Sequence, residues 1–235
     1  MQLFYNAHIT KEDSVFHFNK EESRHISKVL RKKTGNQLNI TNGKGWLFTA
    51  ELINVDQKKC TASIVSKTFQ APKTHQLHLA VAPTKMNDRY EWFLEKATEI
   101  GVSSITPIIC DNSERKIIKT ERFEKIIQSA MKQSLQFYLP ELKPSTTFKE
   151  YLNQEFSGQQ FIAHCEDTNR KSLKSELKAN TDCTILIGPE GDFSTKEIEL
   201  ALQHHFTPVT LGDTRLRTET AAVTACHSYV FTNEL

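Results

Sequence analysis

Within six residues, Arg215, Arg217, Thr218, Glu219 and Thr220 bring together two guanidiniums, two hydroxyls and a carboxylate, in the stretch LGDTRLRTETAA. A carboxylate can take a proton from a weakly acidic group when cations or hydrogen-bond donors stabilise the anion left behind. Two arginines beside a ligand loop also suit contact with phosphate oxygens. Glu219 is equally at home in the first turn of a helix, where it meets the positive end of the helix dipole, and Arg217 can simply pair with it. The sequence leaves these readings open. A second carboxylate, Glu190, lies in LIGPEGDFSTKE, where an apolar run ends in Gly-Pro-Glu-Gly and a helix start follows at once.

Both stretches read as a strand leading through a glycine loop into a helix. In open α/β sheets ligands gather at such loops, beyond the carboxyl ends of the strands. Gly188, Gly191 and Gly212 let the backbone approach a ligand closely. Taken singly, Gly-Pro and Leu-Gly are also ordinary turns.

The elements that must position these loops follow from the chain's rhythm. Residues 1–72 read as mostly strand, with alternating runs on either side of Asn42-Gly43 (the pair that two-residue hairpins favour) and a third run in KKCTASIVSKTF. KEESRHISKVLRKKTG reads as one helix closed by Gly35, and QAPKTHQ as a linker. A small β-barrel with one helix fits this part. From Leu77 strands and helices alternate. LHLAVAP is a strand; NDRYEWFLEKATEIG is a helix with Asp88 and Glu91 spaced as a capping box and Gly101 as the stop; SSITPIIC is a second strand. TERFEKIIQSAMKQSLQFY is a helix with Phe123, Ile126, Ile127 and Ala130 on one face. QQFIAHC, CTILIG and PVTLG are strands, Ser194 and Glu197 cap a further helix, and the last helix runs from Thr218 to about Phe231. The alternation predicts a mainly parallel sheet with helices on both faces over residues 73–235.

The composition, 38% hydrophobic and 25% charged, is that of an ordinary globular protein. The five cysteines are scattered without a Cys-x-x-Cys pair, which argues for reduced thiols in a cytoplasmic protein and against a zinc site. No stretch has the makings of a signal peptide or a membrane span. Residues 1–70 hold 11 Lys/Arg against 6 Asp/Glu, whereas the remainder holds 19 against 22. A basic N-terminal part on a slightly acidic body suits a module that binds a polyanion. There is no G-x-x-x-x-G-K-[ST] and no G-x-G-x-x-G after the first strand of the sheet, which argues against a P-loop and a standard dinucleotide fold.

IGPEGDFS, LGDTRLRTETAA, EKATEIGVSSITPI, SERK and RHISKVLR, in this spacing, together resemble the 16S ribosomal RNA uracil-N3 methyltransferases of the SPOUT (trefoil-knot) superfamily. The resemblance covers nearly the whole chain. It implies a PUA-like barrel that helps hold RNA, followed by a knotted α/β domain whose C-terminal segment threads a loop, an exception to the rule that folds avoid knots. It implies a site for S-adenosylmethionine formed by Ile187, Gly188, Pro189, Glu190 and Gly191 from one loop. Leu211, Gly212, Leu216, Thr218, Thr220 and Ala221 would complete it from the other. It implies the small ribosomal subunit as partner, a homodimer, and no metal. The family commonly has glycine where this chain has Asp192, a residue that reaches positive φ more readily than most, and a basic residue where it has Gln136.

Methylating uracil at N3 requires the imide proton to leave and the base to be unpaired or flipped out. Arg217 and Glu219 are the expected catalytic pair. Arg24, Lys28 and Arg31 recur at helical spacing with Lys32 beside them, giving a basic stripe for an RNA backbone, and Lys85, Arg89 and Arg115 are further RNA candidates. Trp92 and Phe93 read as core, and His204-His205 as surface. The alternatives are a related knotted enzyme acting on another RNA position, and a non-catalytic ribosome-binding protein on the same scaffold. The Arg-Leu-Arg-Thr-Glu-Thr motif speaks against the first and the intact glycine loops against the second.

Overall fold

The computed structural model describes residues 2–166 and 169–234. The chain divides into two units, residues 1–72 with 131–139, and residues 73–130 with 140–235.

The N-terminal unit contains β1 (Leu3–Tyr5), β2 (Val15–His17), α1 (Lys20–Arg24), β3 (Gln37–Thr41), β4 (Trp46–Asn54) and β5 (Thr61–Phe69). They form one curled sheet in the order β1-β3-β4-β5-β2, antiparallel except where β1 pairs with β3. Alternation sets which face is buried. Leu38 lies opposite Ala50 and Ile40 opposite Phe48, and all four are buried against Phe16, Phe18 and Ile26.

Three expectations need correcting here. The Asn42-Gly43 hairpin has a four-residue link, Asn42 to Gly45, with positive φ at both glycines. The Asn42 carboxamide oxygen accepts from the Lys44 and Trp46 amides and holds the longer turn. The basic helix does not run to Gly35. Asn19 caps α1, whose last turn widens into a π-helical turn over His25–Val29, with the Leu30 amide bonded to the His25 carbonyl. Arg31 then takes φ 51° and breaks the helix, so Arg24 and Lys28 are helical while Arg31 and Lys32 follow it. Finally, α3 (Thr120–Gln133) stops short of Leu135, whose φ is 58°. Beyond it the Phe137 carbonyl accepts from the Gly45 amide at 2.9 Å, and the Leu139 amide donates to the Gly43 carbonyl at 3.0 Å.

The C-terminal unit is built on β6 (Leu77–Val81), β7 (Ser104–Ile109), β8 (Glu141–Leu142), β9 (Thr146–Thr147), β10 (Gln159–Ala163), β11 (Lys171–Ser172), β12 (Cys183–Ile187) and β13 (Thr207–Thr210). Every pairing is parallel, and the main path runs β11-β13-β10-β12-β6-β7-β8, with β9 beside β7. β13 therefore lies between β10 and β11, although it comes later in the chain than both. The helices are α2 (Asn87–Ile100), α4 (Phe148–Leu152), α5 (Leu173–Glu176), α6 (Thr195–Gln203) and α7 (Thr218–Asn233) besides α3. All five residues of β12 are buried, as befits a central strand covered on both faces.

The Asp88–Glu91 capping box is absent: the N-cap of α2 is Met86, with no side-chain bond, and Glu91 instead pairs with Arg122 at 2.6 Å. Gly101 does close α2 in the left-handed conformation, and the Ser194–Glu197 box caps α6. Phe93 is fully buried, but Trp92 is 44% exposed. It stands one position off the buried stripe of Tyr90, Phe93, Leu94 and Ala97.

Candidate active site

The carboxyl ends of β12 and β13 lie on either side of β10, and each strand opens into a glycine loop that leads to a helix. After β12, Pro189 and Asp192 close a turn through a 2.9 Å backbone bond, and Asp192 takes φ 63°. A residue with a side chain thus holds a left-handed backbone here. Its carboxylate is also used, because Oδ2 accepts from the Cys165 amide at 2.6 Å and Oδ1 from the Phe193 amide. A Cβ at Gly188 would meet the Phe193 ring and amide at 3.0–3.2 Å, so the strand end requires glycine for packing. Gly212 differs: its φ is 141° and nothing lies within 4 Å of where a Cβ would stand, which leaves its backbone open to a ligand.

A hydrogen bond joins the two loops. Thr218, buried at the start of α7, donates its hydroxyl to the Gly188 carbonyl at 3.0 Å. Between the loops lies a cleft of about 270 Å³ lined by Ile187, Gly188, Pro189, Glu190, Arg217 and Thr218, among others. An adjoining cleft of about 320 Å³ is lined by the β13 loop, including Leu211, Gly212 and Arg215, and shares Leu216 and Ala221 with the first.

The loops after β6 and β7 brace the first glycine loop. The Lys85 amide donates to Glu190 Oε1 at 2.9 Å. The Asn112 amide group donates to the carbonyls of Gly191 and Asp192, and Ser194 donates to the Asp111 carboxylate at 2.6 Å. Arg115 gives its guanidinium to the carbonyls of Thr84 and Lys85, and the Lys85 ammonium pairs with Glu114 at 2.8 Å. Two of the expected RNA residues are therefore engaged in holding loops.

The expected catalytic pair is separated. Arg217 is exposed at the N-cap of α7 and lines the first cleft. Glu219 is buried and lines neither cleft; its Oε1 stands 3.9 Å from Nε of Arg89 on α2, and its Oε2 has no partner among the described residues. Of the expected cofactor residues, Gly191 and Thr220 are the two outside both linings. Sequence reasoning missed Ala163, His164, Cys165 and Arg170, which line the second cleft. The signal was available, since Ala163 ends β10 and the next residues stand at a strand's carboxyl end, where ligands bind. Among the described residues no group of His, Cys, Asp and Glu could hold a metal ion, and no helix is long and apolar enough to cross a membrane. All five cysteines are free thiols.

Residues 71–230 match the family described as an RNA methyltransferase domain, and residues 18–65 match the RNA methyltransferase PUA domain. The chain belongs to the RNA methyltransferase family. Among curated relatives, the ribosomal RNA small subunit methyltransferase E of Buchnera aphidicola is 32% identical over 89% of this chain and 85% of its own length. Solved structures share the whole architecture. A probable rRNA-methyltransferase from Porphyromonas gingivalis superposes with a TM-score of 0.92 at 38% identity, covering 100% of this chain and 99% of its own. A methyltransferase from Legionella pneumophila, solved with bound S-adenosylmethionine, superposes with a TM-score of 0.88 at 30% identity, over 98% of this chain and 97% of its own. The RNA methyltransferase fold is thus carried through both units, with a small curled sheet before the parallel one.

Proposed function

We propose that the protein transfers a methyl group from S-adenosylmethionine to N3 of a uridine in 16S ribosomal RNA of the small ribosomal subunit. The observation that carries this reading is the cleft between the two glycine loops, held by the Thr218–Gly188 bond with Arg217 at its rim. Family membership supports RNA methylation, and the relatives named for the ribosomal small subunit support the substrate class. The residues present fit the cofactor: Gly212 leaves open backbone at one loop, and buried polar atoms of His164 and Arg170 stand without partners among the described residues. Gly188, Pro189, Leu211, Gly212, Leu216 and Ala221 would hold it, with Ile187 and Thr218 behind them.

When bound, the cofactor supplies an electrophilic methyl group on its sulfonium. The chain's own task is to present an unpaired uracil and remove the N3 proton. Glu190 lines the cleft with one carboxylate oxygen committed to the Lys85 amide, which orients the other for a proton. Arg217, exposed at the same rim, is suited to the negative charge that grows on the uracil oxygens. Glu219, turned to Arg89, acts in this scheme by positioning the start of α7.

The N-terminal unit, residues 1–72 in its main part, would hold RNA through Arg24 and Lys28, both exposed on α1 and its π turn, with Arg31 and Lys32 after it. We read the protein as a cytoplasmic homodimer. Two measurements test the function. Calorimetry with S-adenosylmethionine should give binding that Gly188→Val abolishes. Mass spectrometry of ribosomal RNA from cells lacking the gene should find one N3-methyluridine missing from 16S RNA; loss of a different modification would overturn the substrate assignment.

A further inference from the structure

We propose that Phe69, backed by Trp46, is a stacking platform for an unpaired nucleobase, so that the N-terminal unit takes single-stranded RNA at a place distinct from Arg24 and Lys28. The assignment rests on the reading of the protein as an enzyme of RNA, and it names the form of RNA that this unit takes.

Three aromatic rings lead from the core of the curled sheet to its surface. Phe48 on β4 is fully buried. Trp46, two residues earlier and so on the same face of the strand, stacks on it with ring centroids 6.2 Å apart and planes 26° apart, and is partly buried. Phe69 lies opposite Trp46 on β5 with its ring centroid 5.1 Å away, and it is 50% exposed. The last ring of the series is therefore open to solvent.

The backbone beside these rings is tied down. The Gln70 amide donates to the Gly45 carbonyl at 2.9 Å, and the Gly45 amide donates to the Phe137 carbonyl. The Tyr138 hydroxyl donates to the Gln70 carbonyl at 2.7 Å. A surface that is already ordered loses little entropy when a flat ligand settles on it.

Around Phe69 the sheet is uncovered. β2 pairs with β5 only over Thr61–Ser63, and the next bond on that edge joins the Ile64 amide to the Ser14 carbonyl. Beyond it, among the described residues, no strand pairs with the outer edge of β5, and Val65 to Phe69 are all exposed. An open edge bearing an aromatic ring suits either a protein strand or an RNA base. Charge decides between them. Residues 37–50 and 57–72 hold Lys44, Lys58, Lys59 and Lys67 and no Asp or Glu. Lys44 is exposed in the turn that leads into Trp46, and Lys67 stands two places before Phe69. Lysine on an exposed edge discourages the addition of a protein strand, whereas positive charge beside an aromatic ring is what a stacked base with its phosphate needs.

The test uses the full chain carrying Trp92→Phe, so that Trp46 is the remaining tryptophan. The probes are a short oligouridylate and an RNA duplex of the same length. Oligouridylate should quench the Trp46 fluorescence, and the duplex should not. Phe69→Ala should weaken oligouridylate binding about tenfold, and Phe69→Tyr should keep it. Because no phosphate contact is lost, Phe69→Ala should leave the salt dependence unchanged. Melting temperature and S-adenosylmethionine binding should also stay at the parent's values, which reports that the variant is folded. Oligouridylate binding equal to the parent's in Phe69→Ala would overturn the platform and leave the methyl-transfer reading standing, as would equal weakening of both probes. Self-association in sedimentation that Phe69→Ala abolishes, with RNA binding unmoved, would give the face to a protein strand instead. A parent that binds S-adenosylmethionine but not oligouridylate would also overturn the platform alone. If the parent binds neither RNA nor S-adenosylmethionine, the enzyme reading and the platform fall together.

Discussion

The hydroxyl of Thr218 donates to the carbonyl of Gly188 at 3.0 Å, tying the first turn of α7 to the end of β12 across thirty positions of sequence. This bond ties one glycine loop to the other across the cleft. Thr218→Val keeps the shape and removes the donor, leaving a buried carbonyl unsatisfied. Stability in urea should fall by about 1–3 kcal/mol and cofactor affinity should weaken, while Thr218→Ser keeps both.

Gly188 and Gly212 are glycine for different reasons, and alanine should separate them. At Gly188 the new Cβ presses on the Phe193 ring and amide, a packing conflict costing about 1–3 kcal/mol. At Gly212 there is room, but φ 141° strains any side-chain-bearing residue by about 1–3 kcal/mol. Thermal melts should record a loss in both. A crystal structure should find Phe193 displaced only in Gly188→Ala, with the β13 loop re-formed only in Gly212→Ala.

Arg217 and Glu219 stand two residues apart and should behave in opposite ways. Arg217→Ala should melt like the wild type, since the side chain is exposed, yet lose about 10²–10³-fold in methyl transfer to small ribosomal subunits. Glu219→Gln should destabilise the fold by about 1–2 kcal/mol through loss of the Arg89 pair, a modest figure because Arg89 is 38% exposed. Turnover per folded molecule should change far less than in Arg217→Ala.

Burial depresses the His164 pKa, with Arg170 acting in the same direction and the Asp192 and Glu166 carboxylates against it. The unfolded chain then binds a proton more readily than the folded one. The contribution to stability is complete above the unfolded value near 6.5 and is lost as the pH falls through the lower folded value. Melting temperature should drop between pH 7 and pH 5, and His164→Gln should flatten that slope.

Reversing Arg24 and Lys28 to glutamate should weaken RNA binding and make it less sensitive to salt. The log–log slope should shrink by roughly 0.7–0.9 for each phosphate that is no longer neutralised. Cofactor affinity should not move. Filter binding across a salt series, run beside calorimetry, gives both quantities.

The long strands and helices were legible because period and turn chemistry agreed: the apolar run of β12, the Ser194–Glu197 box and the Gly101 stop all stand where the sequence put them. The elements β1, β2, β8, β9, β11, α4 and α5 were not, because runs of two to five residues are legible only where an apolar stretch is bounded by turn signals. The π turn at His25–Val29 was hidden because Arg24, Lys28 and Arg31 have helical spacing whatever the backbone then does. At the site, glycines and charge announced the two loops, but the burial of Glu219 away from both clefts could not be read, because adjacency in sequence does not say which way a helix turns its side chains. His164 and Arg170 carried no motif; only burial without partners singles them out.

The backbone bonds from Phe137 and Leu139 to the Asn42–Gly45 turn make the N-terminal unit discontinuous in sequence. During synthesis its five strands emerge first, but the segment that satisfies Gly43 and Gly45 is still to be made. At about 5–20 residues per second, the ribosome takes on the order of several seconds to travel from Pro72 to Leu139. The nascent sheet must wait through that interval without the partners of the Gly45 amide and the Gly43 carbonyl. A fragment ending at Pro72 would remain permanently at that stage, and a faithful excised version would have to carry residues 131–139 back by a designed link.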